Sequence, residues 1–311
     1  MLNRRHLRIR VLQFMYAWSN AKDTDIAVLE KQFLKSLNKV QELYTLLLLL
    51  IVELRDFAEN YKEDAKNKKL PTVDDLNPNT KFMDNVFIQK LKEDSDLMKD
   101  SNTFKLSFAN HQPMIKGLYF NLIDTDLYFD YMQSKDYNFD TDKKFIVKLF
   151  SKFLIDSDLV QDFLIESNIF WDDDLPFISS MIVKTIKESS PENISLYNLF
   201  KDDDERDFAL NLLRYSVIYS DEYSKLISLK TQNWELDRVA QMDLILMQMA
   251  LAELLKMPQI PVKVTINEYL ELAKYYSTPN SKNFVNGILD SLLIDLKKEG
   301  SIQKMGRGLI E

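Results

Sequence analysis

The stretch IPVKVTINEYLELAKYYSTPNSKNFVNGILDSLL, residues 260–293, decides the fold. Pro261 stands where a helix can begin, and apolar residues then recur at helical spacing until Thr278 and Pro279 end the pattern. Ser281 can cap a second helix with the same spacing of apolar residues. The stretch therefore predicts two consecutive amphipathic helices joined by a short turn.

The residues just before this stretch predict a buried helix. Asn233 can cap it, and apolar side chains cover nearly all of its circumference until Pro258 stops it. A helix that is apolar all round belongs in the interior of a protein. We therefore expect this segment to be the centre of a helical bundle.

Composition extends the helical prediction to the whole chain of 311 residues, which holds 5 Gly, 8 Pro and no Cys. So few breakers favour long helices, and we predict an all-α protein. The absence of cysteine excludes disulfides and thiolate chemistry, and two histidines suggest neither a metal site nor a cofactor. The longest apolar run, Leu46–Val52, is far shorter than the roughly 20 residues that cross a bilayer, so we expect no membrane segment.

The first helix, expected from Arg4 to Asn20, carries a concentrated positive charge in a chain whose net charge is −8. Four arginines and one lysine precede the first acid, Asp23. Two apolar stripes predict contacts on two sides of this helix, with Trp18 in the core, while its arginine-rich first turn stays in water. An acidic protein with one basic end can bind a polyanion at that end.

The middle of the chain is less regular. We expect helices at 25–37 and 40–65, a break at 70–78, and helices again at 143–155, 159–166, 176–188 and 205–229. The predicted organisation has five parts. N-terminal helices occupy 1–59, a helical insertion of unknown function 60–142, helices completing the N-terminal subdomain 143–230, C-terminal helices 231–298 and a loose tail 299–311.

The usual signatures of enzymes are absent from the sequence. It has no glycine-rich phosphate loop, no serine nucleophile elbow and no paired histidines on a helix. Abundant acids in a helical protein are usually solvated faces. We therefore expect a binding protein and not an enzyme.

Four polar or small residues interrupt the apolar faces of the last two helices: Asn267, Glu268, Asn286 and Gly287. Glycine inside a helix costs about 1 kcal/mol relative to alanine, so we expect a neighbouring backbone to approach Gly287 closely. We expect the other three to have structural roles, with Asn286 and Asn267 in one buried polar cluster.

The chain resembles the NusB family. IPVKVTINE at 260–268, ELAK at 271–274 and SKNFVNGILD at 281–290 are similar to the family's C-terminal signature, which begins upstream at NWELDR, 233–238, and ALAEL, 250–254. At the other end RRHLR, 4–8, followed by VLQFMY, 11–16, is similar to the family's first helix.

The resemblance implies a helical bundle in two subdomains, here enlarged by the insertion, in a cytoplasmic transcription antitermination factor. Such proteins bind single-stranded box A-type RNA of ribosomal RNA leader transcripts together with the ribosomal protein NusE, and act on the RNA polymerase elongation complex. It places RNA contacts at Arg4, Arg5, Arg8, Asn280 and Phe284, because guanidinium groups bind phosphates and stack on unpaired bases. It places NusE contacts at Asp237 and Asp243.

The chain also departs from the family pattern. Between the two matched ends this chain has well over a hundred residues more than a minimal family member. The family has an aromatic-x-Arg pattern in the helix near residue 208, and here Leu210 takes the place of its arginine. Asn280 stands where the family commonly has an acid. The alternatives are a protein-interaction scaffold and a ribosomal RNA processing accessory without direct RNA readout. A similar helical domain is attached to ribosomal RNA methyltransferases. We do not expect this chain to be such an enzyme, because its sequence holds no glycine-rich, cofactor-binding βαβ unit.

Overall fold

The computed structural model describes residues 2–21, 25–168, 171–198, 200, 203–231 and 239–309. Fifteen α-helices and no strand occur in these residues, which confirms the all-α prediction. The chain divides into two compact units: a central unit, Ser36–Leu199, and a terminal unit, which combines Leu2–Lys35 with Phe200–Glu311.

Seven helices make up the terminal unit wholly or in part. They are α1 (Arg4–Ala21), the first residues of α2 (Ile26–Lys66), α11 (Asp203–Ile218), α12 (Ser220–Lys230), α13 (Gln241–Lys256), α14 (Val262–Tyr276) and α15 (Ser281–Lys298). Helix α13 packs against α1, α11, α12, α14 and α15, and every residue from Ile245 to Leu254 is buried. The prediction of a buried helix at the centre of a bundle is confirmed, although α13 begins at Gln241; its expected cap, Asn233, lies outside the described residues.

The central unit contains the rest of α2 and eight further helices. These are α3 (Val73–Leu76), α4 (Val86–Glu93), α5 (Ser95–Phe104), α6 (Gln112–Ile123), α7 (Asp126–Gln133), α8 (Phe139–Leu149), α9 (Asp158–Ser167) and α10 (Trp171–Glu188). A π-helical turn, Phe150–Leu154, continues α8. Helix α8 packs on α4, α7 and α10, while α9 packs on α6 and α10.

Several helix boundaries differ from the sequence prediction. Helix α8 begins at Phe139 and not at 143, and α10 begins at Trp171 and not at 176. Two differences are larger. Helix α2 is a single helix of 41 residues, where two helices at 25–37 and 40–65 were expected. Asn38 and Lys39 carry only a mild propensity penalty, and neither Gly nor Pro stands between the two halves to end the helix. Conversely, the single helix expected at 205–229 is broken at Tyr219 into α11 and α12.

The compact central unit is wider than the insertion expected at 60–142. It also takes in 36–59 and 143–198, because α2 continues unbroken past residue 60 and α8 and α10 pack against helices of the same unit. A hydroxyl contact illustrates this: Tyr44 on α2 and Thr185 on α10 are joined by a hydrogen bond of 2.5 Å. Residues before and after the expected insertion therefore share its core.

Residues 299–309 are more ordered than the loose tail expected at 299–311. Helix α15 ends in a left-handed Gly300, with the amide of Ser301 bonded to the carbonyl of Leu296 and that of Gly300 to Lys297. This is the Schellman arrangement, in which glycine takes a backbone conformation that other residues avoid. Residues 301–309 then pack back onto the bundle, as described below.

Candidate nucleic-acid interface

The three arginines in the first turns of α1 have three different environments. Arg5 is half exposed, Arg4 is partly buried, and Arg8 is only 2% exposed. Arg4 and Arg8 are four residues apart and so share one side of the helix, and both guanidinium carbons lie 5.1 Å from the ring centroid of Phe208. The expectation that the whole first turn faces water is wrong for Arg8.

Arg8 is held in a buried network around Glu253 of α13. Its Nε and Nη2 lie 2.8 and 2.7 Å from the two carboxylate oxygens of Glu253, which also accept hydrogen bonds from the hydroxyls of Thr265 and Tyr269. Glu253 is fully buried. Burial alone lowers the pKa of Arg8, but hydrogen bonding and the charge of Glu253 outweigh it and raise that pKa. Arg8 is therefore charged, and the hydrogen bonds around Glu253 tie α1, α13 and α14 together.

Arg5 forms a second ion pair, nearer the surface. Its Nε and Nη2 lie 2.9 and 2.7 Å from the carboxylate oxygens of Glu268 on α14. The hydrogen bond from Arg5 keeps the pKa of Glu268 below its ordinary value of 4.5, despite partial burial. Arg8 also lies 3.6 Å from Glu268. Both Arg5 and Arg8 therefore have their charge balanced within the chain.

Arg4 is the exception among the three. Among the described residues it makes a contact with the Phe208 ring and no ion pair. Its side chain lines a cleft of about 500 Å³ together with Tyr215, Lys256 and Arg307. A cation stacked on an aromatic ring and open to a cleft can bind a phosphate or stack on a base.

The start of α15 was expected to contribute Asn280 and Phe284. Asn280 is exposed at the N-cap position, and its side chain makes no capping hydrogen bond. Phe284 is partly buried. Between them Ser281 is buried, and its hydroxyl donates a hydrogen bond of 2.8 Å to Asp243. Asn280 is thus exposed to solvent, whereas Ser281 fixes the start of α15 to α13.

The two acids expected to face NusE cannot both be placed. Asp237 lies outside the described residues. Asp243 is only 4% exposed, and one carboxylate oxygen accepts the hydrogen bond from Ser281. An exposed position for Asp243 is therefore wrong, since its carboxylate anchors the start of α15 from the first turn of α13, where a negative charge also favours the helix dipole.

Asn267 and Asn286 do not lie in one buried polar cluster. Asn267 is exposed, and the amide of Asn286 donates to Asp290 one turn later on the same helix. Gly287 is exposed, and a Cβ built there would meet no atom within 4 Å. The expected close approach of a backbone to Gly287 is wrong. Trp18, which was expected in the core, is only partly buried and lines a cleft with Ile218 and Gln241.

Several residues of this region were not singled out from the sequence. Glu253 stands in the otherwise apolar run at 250–254, and a lone acid in a buried helix is a signal that a cation must reach it. Lys256, Lys304 and Arg307 gave no such signal, because their positions depend on how the chain end folds back. No cluster of metal-ligating side chains occurs in the described ranges, and no helix there is long and apolar enough to cross a membrane.

The fold and site define an all-α protein in which a buried helix, α13, is surrounded by a helical bundle with a basic cleft beside α1. The NusB family model matches residues 178–293, from α10 to α15. The chain is 45% identical over 112 residues to the transcription antitermination protein NusB of Salinibacter ruber, covering 36% of this chain and 70% of that protein.

Two further relatives carry the same name. The protein of Chloroherpeton thalassium is 41% identical over 106 residues, 34% of this chain and 50% of its own length. That of Koribacter versatilis is 37% identical over 98 residues, 32% of this chain and 67% of its own length. No solved structure matches. The chain belongs to the NusB family, and these relatives support a role in transcription antitermination.

Proposed function

We propose that this chain is a non-enzymatic, cytoplasmic antitermination factor that binds single-stranded box A-type RNA of ribosomal RNA leader transcripts together with NusE. In that role it acts on the RNA polymerase elongation complex. The proposal joins family membership to one observation, the guanidinium of Arg4 at the cleft. Arg4 has no carboxylate partner in the described chain, so binding a phosphate there breaks no existing ion pair.

The environment of each of the other expected RNA-binding residues determines whether its side chain can reach RNA. Arg5 is half exposed and can share its guanidinium between Glu268 and a phosphate. Asn280 is exposed and can donate to RNA. Arg8 supports the surface from inside, because its guanidinium is committed to Glu253. Phe284 is partly buried, and a contact with a base is proposed there from the family resemblance alone.

RNA binding is tested by fluorescence anisotropy with a labelled single-stranded oligonucleotide that carries the box A sequence of the organism's own leader. Arg4→Ala is expected to weaken binding and to lower the dependence of affinity on salt by about one counterion, measured between about 50 and 200 mM KCl. The control is Arg206→Ala, an exposed arginine on the side of α11 opposite the cleft residues Asp204, Phe208 and Asn211.

The outcome separates this function from its rivals. Binding by the parent with a steep salt slope, and loss in the Arg4 variant alone, supports direct RNA contact. A parent that binds NusE but shows no salt-dependent RNA binding would instead be the protein-interaction scaffold. The NusE surface is tested by Asp237→Lys, which is expected to slow association with NusE because a basic ribosomal protein is steered by acids.

A further inference from the structure

The last described residues form a fixed segment on the surface of the terminal unit, which we call the C-terminal strap, Ser301–Leu309. The amide of Met305 donates a hydrogen bond of 3.0 Å to the carbonyl oxygen of Pro258, in the loop between α13 and α14. Gly308 approaches the same loop so closely that a Cβ would lie 1.9 Å from the Pro258 oxygen. Only glycine fits there, so the strap is seated on this loop.

A partly buried lysine of the strap makes further contacts with the bundle. The ammonium of Lys304 lies 3.3 Å from the carbonyl oxygen of Glu253 and 3.0 Å from that of Met257. These are carbonyl groups at the end of α13, where a cation is favoured by the helix dipole. Burial lowers the pKa of Lys304. The hydrogen bonds of Lys304 and Met305 before Arg307, and the close contact of Gly308 after it, thus fix the path of the strap around Arg307.

The consequence of this path is the position of Arg307. It lines the cleft described above with Arg4, Tyr215 and Lys256, and also an adjoining cleft of about 550 Å³ with Arg4, Arg5 and Gln259. Arg4 and Arg307 are the two cations common to both clefts. Each cleft is within the size range that holds a small ligand, and so has room for a nucleotide.

The uncompensated positive charge of this surface comes from three residues. Arg5 and Arg8 are paired with Glu268 and Glu253. In the part of the chain that the structure describes, Arg4 and Lys256 contact only aromatic rings, Phe208 and Tyr219, and Arg307 forms no ion pair.

Two acids act against this positive charge. The exposed Asp204 and Asp207 line the first cleft, the one that also contains Tyr215 and Lys256. The adjoining cleft contains Glu268, which already binds Arg5. Phosphate is therefore favoured where Arg4 and Arg307 meet the adjoining cleft, away from these two aspartates.

We propose that the C-terminal strap is part of the RNA-binding surface, with Arg307 and Lys256 extending the contact of Arg4 along single-stranded RNA. This inference rests on the proposed RNA-binding function. Arginine side chains on one cleft can bind successive phosphates and stack on unpaired bases, and Tyr215 offers a partly exposed ring beside them.

The test uses the full chain and the labelled box A oligonucleotide. Arg307→Ala is expected to weaken binding about tenfold, the loss of one charge-assisted contact, and to lower the salt slope by about one. Arg206→Ala is the charge-matched control and is expected to bind as the parent does. Asp204→Asn with Asp207→Asn is expected to tighten binding at low salt, because two repulsive charges leave the rim.

A second variant separates the position of Arg307 from its presence. Gly308→Ala keeps every charge but forces the strap away from Pro258, so it is expected to weaken RNA binding like Arg307→Ala, while a circular dichroism melt reports that the bundle remains folded. Normal affinity in a folded Gly308 variant overturns the claim that the seated strap presents Arg307.

The remaining outcomes distinguish the strap from the proposed function. Weak binding by Arg4→Ala with parental binding by Arg307→Ala overturns the strap proposal and leaves RNA binding at α1 standing. Tighter binding by Arg307→Ala means that the strap covers the surface, which also overturns it. If the parent itself fails to bind the oligonucleotide with a salt-dependent affinity, the proposed function fails and the strap proposal with it.

Discussion

Arg8 of α1 and Glu253 of α13 form a bidentate ion pair in the interior of the terminal unit, with Arg8 2% exposed and Glu253 not exposed at all. Thr265 and Tyr269 complete the hydrogen bonding of the carboxylate. Arg8 is thus a structural residue, although it lies in the same arginine-rich stretch as Arg4 and Arg5. Variants of the first-turn arginines will therefore affect stability and RNA binding to different degrees.

Arg8→Ala is expected to destabilise the protein by about 3 to 5 kcal/mol, because it leaves Glu253 as an unpaired charge in the interior. Arg5→Ala, which breaks the half-exposed pair with Glu268, is expected to cost about 0 to 1 kcal/mol. Urea unfolding followed by circular dichroism measures both. Equal stability of the two variants would show that the buried pair is not the tie between α1 and α13.

A single variant with Arg4, Arg5 and Arg8 all replaced by alanine cannot test RNA binding alone. The loss of Arg8 is expected to disturb the fold, so reduced RNA affinity in that variant has two causes. Arg4→Ala removes a guanidinium that has no ion-pair partner among the described residues, and it is the clean substitution. Its melting temperature is expected to stay close to that of the parent.

The Arg5–Glu268 pair also makes stability depend on pH. Because the pKa of Glu268 is lowered in the folded protein, its contribution is fully present above the ordinary value of 4.5 and is lost as the pH falls through the lowered value. Arg5→Ala is expected to remove much of this loss, so the parent and variant curves should converge in acid. Unfolding free energies measured from pH 6 downward test this, and parallel curves would contradict it.

A buried polar cluster in the central unit allows a matched comparison of two aspartates. Asp142 is 5% exposed, and it accepts hydrogen bonds from the Tyr131 hydroxyl at 2.7 Å and the Val86 amide at 2.8 Å. Asp142→Ala is expected to destabilise the central unit by about 1 to 3 kcal/mol, because the buried Tyr131 hydroxyl and the Val86 amide lose their acceptor.

Asp140, two residues earlier on α8, is 77% exposed and provides the control. Asp140→Ala is expected to change stability by less than about 0.5 kcal/mol. Hydrogen exchange of peptides from 81–146 measures both effects locally. Similar exchange in the two variants would mean that the cluster does not hold α4 and α8 together.

Helical periodicity was sufficient to predict the class of the fold and several helices. The helix expected from Arg4 to Asn20 is α1, Arg4–Ala21, and Pro261 and Ser281 mark the starts of α14 and α15. These segments combine a strong apolar repeat with Pro, or with a capping residue, at their ends. Within α2 the absence of Gly and Pro favours one helix over two, and the prediction of two helices gave this too little weight.

The side-chain environment of the site was less predictable, because it depends on contacts distant in sequence. Arg8 and Glu253 are 245 positions apart, and the strap meets the end of α13 only after α14 and α15 have reversed the chain. Local pattern cannot distinguish a buried arginine from an exposed one when its partner lies on another helix. For the same reason Asp243 gave no sign that Ser281 would cover it.

Gly287 and Gly300, one inside α15 and one just after it, allow the effect of backbone conformation on a Gly→Ala substitution to be compared. A Cβ would meet no atom within 4 Å at either Gly287, inside α15, or Gly300, just after its end, but Gly300 has a φ of 67° and Gly287 is helical. Gly287→Ala is therefore expected to stabilise the protein by up to about 1 kcal/mol through helix propensity, whereas the close backbone approach expected from sequence would have made it destabilising. Gly300→Ala is expected to destabilise it by about 1 to 2 kcal/mol, since a side chain disfavours the left-handed conformation. Thermal melts of both variants measure the difference. A lower melting temperature for Gly287→Ala would mean that something covers this exposed position in solution.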